Sequence, residues 1–153
     1  MTPRNLQAFG GKEMNSYLVA GAVLSGIAAL LHLGCIIFGA SWYRFFGAGE
    51  RMATMAEAGS MQPIIVTMVI AAVLAGWSAY ALSGAGVIMQ LPLLLPALIA
   101  ITGIYLVRGV IGLFFIQSSA FGNSSSFWLW SSVICIVFGS VHLLGLIRFW
   151  NSP

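Results

Sequence analysis

Arg108 is the sole charged residue between Pro92 and Gln117. Its guanidinium stays charged at any ordinary pH, and near the centre of a bilayer it costs roughly 2.5–3.5 kcal/mol on insertion scales. An arginine so placed pairs with a carboxylate, meets a polar or anionic ligand, or snorkels to the interface. Few carboxylates are on offer, because the chain has three acidic residues, all glutamate. Two of them, Glu50 and Glu57, lie in the loop at the end of the chain's path nearest Arg108. The expectation is that Glu50 or Glu57 reaches inward and pairs with Arg108. In a ligand site the same carboxylate would be the resting partner of Arg108, and His32 a hydrogen-bonding wall.

His32 lies at a similar depth, about 12 Å along a helix from Ala40. Cys35 follows one turn later, and Cys135 is equally far from the same side. Imidazole and thiolate together suit zinc, and Met52, Met55 and Met61 would add thioethers suited to Cu(I). Arg108 is a poor neighbour for a cation, however, and no repeated ligand motif is present. His142 is about 10 Å deeper than His32, so one haem held by both would need a large offset between helices. No cofactor is therefore expected. A membrane-embedded redox, metal or haem protein using His32, Cys35 and Cys135, with His142 as a further metal candidate, is the alternative reading.

Other chemistries lack their residues. Without aspartate the usual magnesium motifs cannot form, and no serine stands with a histidine and a carboxylate in a nucleophile motif. Gly47-Ala48-Gly49 before a short helix has the start of a phosphate-cradling loop, but not the full glycine spacing or a preceding strand. The six basic residues that give the net charge of +3 are scattered, so no stripe could follow a phosphate backbone and nucleic acid is excluded as a partner.

The elements that carry these residues follow from hydropathy. Of the 153 residues, 60% are hydrophobic and 6% charged, against roughly 25% charged in soluble domains; the mean hydropathy is +1.02. Four apolar runs stand near Tyr17–Ala40, Pro63–Ser83, Pro92–Gln117 and Phe127–Phe149. Each is about 20 residues or more, enough to cross a core of about 30 Å as a helix. A bilayer offers backbone groups no partner, so helices are required. The first run is too long for the apolar region of a signal peptide, roughly 7–15 residues, and is expected to be a retained span. The fold expected is all-α: an integral membrane four-helix bundle in one domain over residues 1–153.

The connections differ in character. Gly84–Leu91 is short and uncharged, and Pro92 suits a helix start. Ser118–Ser126 reads as a polar turn, with a glycosylation sequon at Asn123. Ser41–Gln62 is the one substantial loop, with a short amphipathic helix expected over Gly49–Ala58, begun by Glu50 and stopped by Gly59. Trp42, Tyr43, Trp128 and Trp130 mark one interface and Trp150 the other. Arg4, Lys12 and Arg148 on one face against Arg44 and Arg51 on the other point to cytoplasmic termini in a bacterial inner membrane.

Helices in lipid associate through small and polar residues. Gly21, Ser25, Ala28, His32 and Gly39 share a face of the first span. Ala72, Gly76, Ala79 and Ser83 do so on the second, and Ser131, Cys135, Gly139, His142 and Gly145 on the fourth. The function expected is non-catalytic: binding or passage of a small polar or anionic solute, or service as an accessory subunit. The partners expected are the lipid bilayer and either further copies of the chain or a larger membrane complex.

Overall fold

The computed structural model describes residues 14–116 and 123–151, and every regular element among them is helical. The helices are α1 (Ser16–Phe38), α2 (Ala40–Phe45), α3 (Glu50–Glu57), α4 (Met61–Gly84), α5 (Leu94–Phe114) and α6 (Ser125–Asn151). Four of them, α1, α4, α5 and α6, are long and apolar enough to cross a membrane. Arg4, Lys12 and residues 118–122, the first part of the Ser118–Ser126 turn, lie outside the described residues.

The ends of the helices have local causes. Asn15 caps α1 by accepting from the Leu18 amide. Gly39, at φ 68°, stops α1 and turns the chain directly into α2. That six-residue helix falls in what the sequence presents as loop, whereas α3 stands where an amphipathic helix is expected. Ser60 caps α4 through the Gln62 amide. Helix α5 starts two residues after Pro92, because Leu93 takes a left-handed φ of 54°.

α1 packs along α4 and α5 along α6, and the two pairs meet chiefly where α1 touches α6. Glycines set the close approaches. A Cβ at Gly145 would lie 2.6 Å from a Leu18 methyl and 3.1 Å from the Leu18 backbone nitrogen; one at Gly84 would lie 2.8 Å from another Leu18 methyl. Leu18 thus fills a notch between α4 and α6 and is fully buried. On the other seam, Gly139 admits Leu106, and Gly109 admits Ile136 and the Ser132 carbonyl. A hydrogen bond of 2.8 Å from Ser78 to the Ala22 carbonyl ties α4 to α1.

The small-residue face expected on α4 is corrected in part. Ala72 and Gly76 are exposed, and a Cβ on Gly76 would meet nothing. The buried positions are Pro63, Thr67, Ala71, Leu74, Ala81 and Gly84, together with Ser83, which the expected face included. The helix is apolar all round, so the spacing of small residues alone does not select its packing side.

The segment between α1 and α4 folds back over their ends. Trp42 sits where a side chain on Gly34 would be and stacks on Phe38 at 4.4 Å. Tyr43, 2% exposed, donates to the Pro63 carbonyl at 3.3 Å and shares a 3.1 Å hydrogen bond with Thr67. Ala53 of α3 completes a small core with Tyr43 and Cys35. Farther along, Gly47 abuts Phe127, which brings the segment to the start of α6.

Candidate functional site

Arg108 lies on α5, six residues before its last residue, Phe114, or about 9 Å along the helix. Its side chain enters the seam with α6. Nη2 donates to the Ser131 hydroxyl at 3.3 Å, and the guanidinium carbon stands 5.0 Å from the centroid of the Trp128 ring. Delocalised charge over an indole face is a favourable cation–π arrangement. The other terminal nitrogen, Nη1, is buried with no hydrogen-bond partner.

The Ser132 hydroxyl is likewise buried and unpartnered. Both groups converge on Gly112, where a Cβ would collide with the Ser132 Oγ and with Arg108 Nη1. The glycine therefore leaves room for two orphaned polar groups side by side. A buried donor left unmade costs about 1–3 kcal/mol, and more if charged. An acceptor between Nη1 and the hydroxyl would satisfy both.

The expected pairing of Glu50 or Glu57 with Arg108 is not what the structure contains. Both carboxylates bind Arg44 at the end of α2. Arg44 Nη2 meets Glu50 and Nη1 meets Glu57, each at 2.6 Å, while Nε donates to both Glu50 oxygens at 3.0 and 3.1 Å. The reason is desolvation: an exposed partner six residues from Glu50 and thirteen from Glu57 costs the carboxylates little, whereas reaching Arg108 would bury them. The clamp holds both carboxyls below the ordinary glutamate range, chiefly through the hydrogen bonds from Arg44. Among the described residues no carboxylate comes within ion-pair distance of Arg108.

The histidines and cysteines do not join this site. His32 Nδ1 bonds to the Ala28 carbonyl one turn back, at 2.7 Å. Cys35 is buried beneath Tyr43 and Ala53. Cys135 packs against the cluster that contains Tyr105 and Leu74. Among the described residues no three His, Cys, Asp or Glu side chains are gathered as a metal would need.

His142 belongs to a separate polar cluster. It is fully buried against Gly21 of α1, at the place where a Cβ would fall, with Nδ1 donating to the Phe138 carbonyl at 2.9 Å. Nε2 is then the bare acceptor, and it has no partner. The Tyr105 ring lies 5.3 Å away, its hydroxyl hydrogen-bonded to Ser25 at 2.9 Å.

Sequence reasoning placed Ser131 on the packing face of the last span but did not connect it, Ser132, Trp128 or Gly112 with Arg108. The available signal was depth: all three α6 residues lie within the first turns of a helix antiparallel to α5, opposite the last turns of α5 where Arg108 stands.

No protein-family model, curated protein or solved structure matches this chain. The fold and site alone define its class: a helical protein whose four long apolar helices suggest a multi-pass membrane protein, with an arginine set between two of them.

Proposed function

We propose that this chain is a membrane-embedded four-helix bundle with a non-catalytic role, binding an anionic or polar group at Arg108. The observation that carries this reading is the guanidinium inside an apolar helix, with no carboxylate beside it among the described residues and a buried, unpartnered Nη1 next to an unpartnered Ser132 hydroxyl. A buried donor of a charged group left unmade is costly, and charged residues in membrane segments normally have a partner. Here an acceptor from outside the chain supplies it. Arg108 is the charge anchor, Ser132 a second donor, and the Trp128 face orients the guanidinium. Glu50 and Glu57 are engaged by Arg44 and are not resting partners in this scheme.

The test is native mass spectrometry of the protein extracted gently from its own membrane. The expected result is an additional small mass on the wild type that is lost in Arg108→Leu. Identical spectra for the two proteins would overturn the role assigned to Arg108.

A further inference from the structure

The outer face of α5 bears on which anion Arg108 meets. Ala100, Gly103, Ile104 and Val107 line an open groove of about 390 Å³ that ends at Arg108. Its floor is low because a Cβ on Gly103 would meet nothing within 4 Å and Ala100 offers only a methyl. Ile104 and Val107 stand 51% and 56% exposed beside it. Eight residues separate Ala100 from Arg108, about 12 Å of helix. The volume is in the range of small-molecule sites, roughly 300–1,000 Å³.

The groove is apolar along its length and opens sideways, and Arg108 is the only polar residue lining it among the described residues. A hydrated ion using it would shed water with nothing in return until it reached the guanidinium. An amphiphile would not: its chain gains by leaving water or by filling an otherwise empty furrow, and its acidic end replaces solvent with Arg108. Depth agrees with this. Helix α5, with 21 residues, is about 31 Å long, close to the hydrocarbon thickness of about 30 Å. Arg108, about 9 Å from its end, is within reach of a head group drawn slightly inward.

We infer that the Arg108 site takes an anionic lipid from the surrounding bilayer, with its acidic head group on the guanidinium and one acyl chain along the groove over Gly103. The inference rests on the reading of Arg108 as an anion site and adds the chemical class and the lateral route of entry. The unpartnered Nη1 and Ser132 hydroxyl supply the donors for a phosphate oxygen, and the absence of a nearby carboxylate among the described residues leaves the positive charge for it.

The experiment is native mass spectrometry of delipidated protein titrated separately with phosphatidylglycerol, phosphatidylcholine of the same chains, and inorganic phosphate. The wild type is expected to retain phosphatidylglycerol about tenfold better than phosphatidylcholine. Arg108→Leu and Arg108→Gln should each erase that preference. Gly103→Leu fills the groove from an outward position and leaves Arg108 intact, so it should weaken phosphatidylglycerol about tenfold without changing the thermal unfolding midpoint. If inorganic phosphate binds in an Arg108-dependent way while phosphatidylglycerol binds no better than phosphatidylcholine, or is indifferent to Gly103→Leu, the lipid inference falls and the anion site stands. If neither phosphate nor phosphatidylglycerol responds to the Arg108 variants, both fall.

Discussion

The side-chain amide of Asn15 donates to the Gly145 carbonyl at 2.8 Å, joining the start of α1 to the last turns of α6 across 130 residues of sequence. The same side chain caps α1 through the Leu18 amide at 3.3 Å, and its backbone N–H donates to the Ala85 carbonyl after α4. One buried residue thus ties three of the long helices together at the end away from Arg108. Asn15→Ala removes both the cap and the interhelical bond. A lost cap costs about 0.5–2 kcal/mol and a buried carbonyl left unmade adds about 1–3 kcal/mol. Chemical unfolding in detergent micelles should show a loss of about 2–4 kcal/mol. Asn15→Asp restores the cap but not the donor, and should recover only part of it.

Two glycines test whether the seams are where the structure has them. At Gly145 a Cβ meets Leu18 side chain and backbone, so Gly145→Ala forces α1 and α6 apart. Overpacking of this kind costs about 1–3 kcal/mol. At Gly76 a Cβ meets nothing, so Gly76→Ala should be neutral or stabilising by up to about 1 kcal/mol, through helix propensity alone. Equal effects of the two substitutions on the unfolding midpoint would contradict this arrangement of α1, α4 and α6.

The contrast between these glycines also shows what could be read from the sequence. The four long helices were legible because length and hydropathy decide them without tertiary information. The short helix α3 was legible from Glu50 at its start and Gly59 at its end. Helix α2 was not, since it is held by Trp42 on Gly34 and Tyr43 on Thr67, contacts between distant positions that leave no periodic trace. His142 could be placed on a small-residue seam, and it is buried against Gly21. Gly76 was placed on a packing face because small residues recur at helical spacing there, but an all-apolar helix gives no sign of which side turns inward. Arg108 stood out as a lone charge. The pairing assigned to it failed because depth along the chain does not reveal that Arg44 competes for the same carboxylates at lower desolvation cost.

That competition makes the Arg44 clamp sensitive to pH in a defined direction. Glu50 and Glu57 have lowered values in the folded state, so they bind fewer protons there than in an unfolded chain over part of the acid range. The stabilising contribution is therefore present above the ordinary glutamate pKa of about 4.3 and is lost as pH falls through the lowered values. The groups are exposed, so the effect is small and weakened by salt. Amide exchange in α3, corrected for intrinsic rates, should be slower at pH 7 than below pH 4 relative to α1. Arg44→Gln should make α3 exchange faster at pH 7 and flatten that dependence. A dependence that survives in Arg44→Gln would place its origin elsewhere.

Ser132 separates a binding role from a packing role, because the two make opposite demands on its hydroxyl. In the structure this oxygen is buried without a partner, and Arg108 Nη1 is in the same condition at the same side of Gly112. If the hydroxyl served the fold, Ser132→Ala would destabilise the protein. An unpartnered buried hydroxyl instead carries a desolvation cost of about 1–3 kcal/mol, so its removal should leave the ligand-free protein unchanged or up to about 1 kcal/mol more stable. The loss should emerge only when an acceptor is present. With inorganic phosphate or an anionic lipid as the probe, Ser132→Ala is expected to weaken binding about tenfold or more, the amount of one hydrogen bond to a charged group, about 1.5–3 kcal/mol. Ser132→Thr, which keeps the hydroxyl but adds a methyl beside Gly112, should retain more of the affinity than Ser132→Ala. Lower stability together with unaltered anion affinity in Ser132→Ala would assign the hydroxyl to the α5–α6 seam and leave Arg108 and Ser131 as the whole of the site.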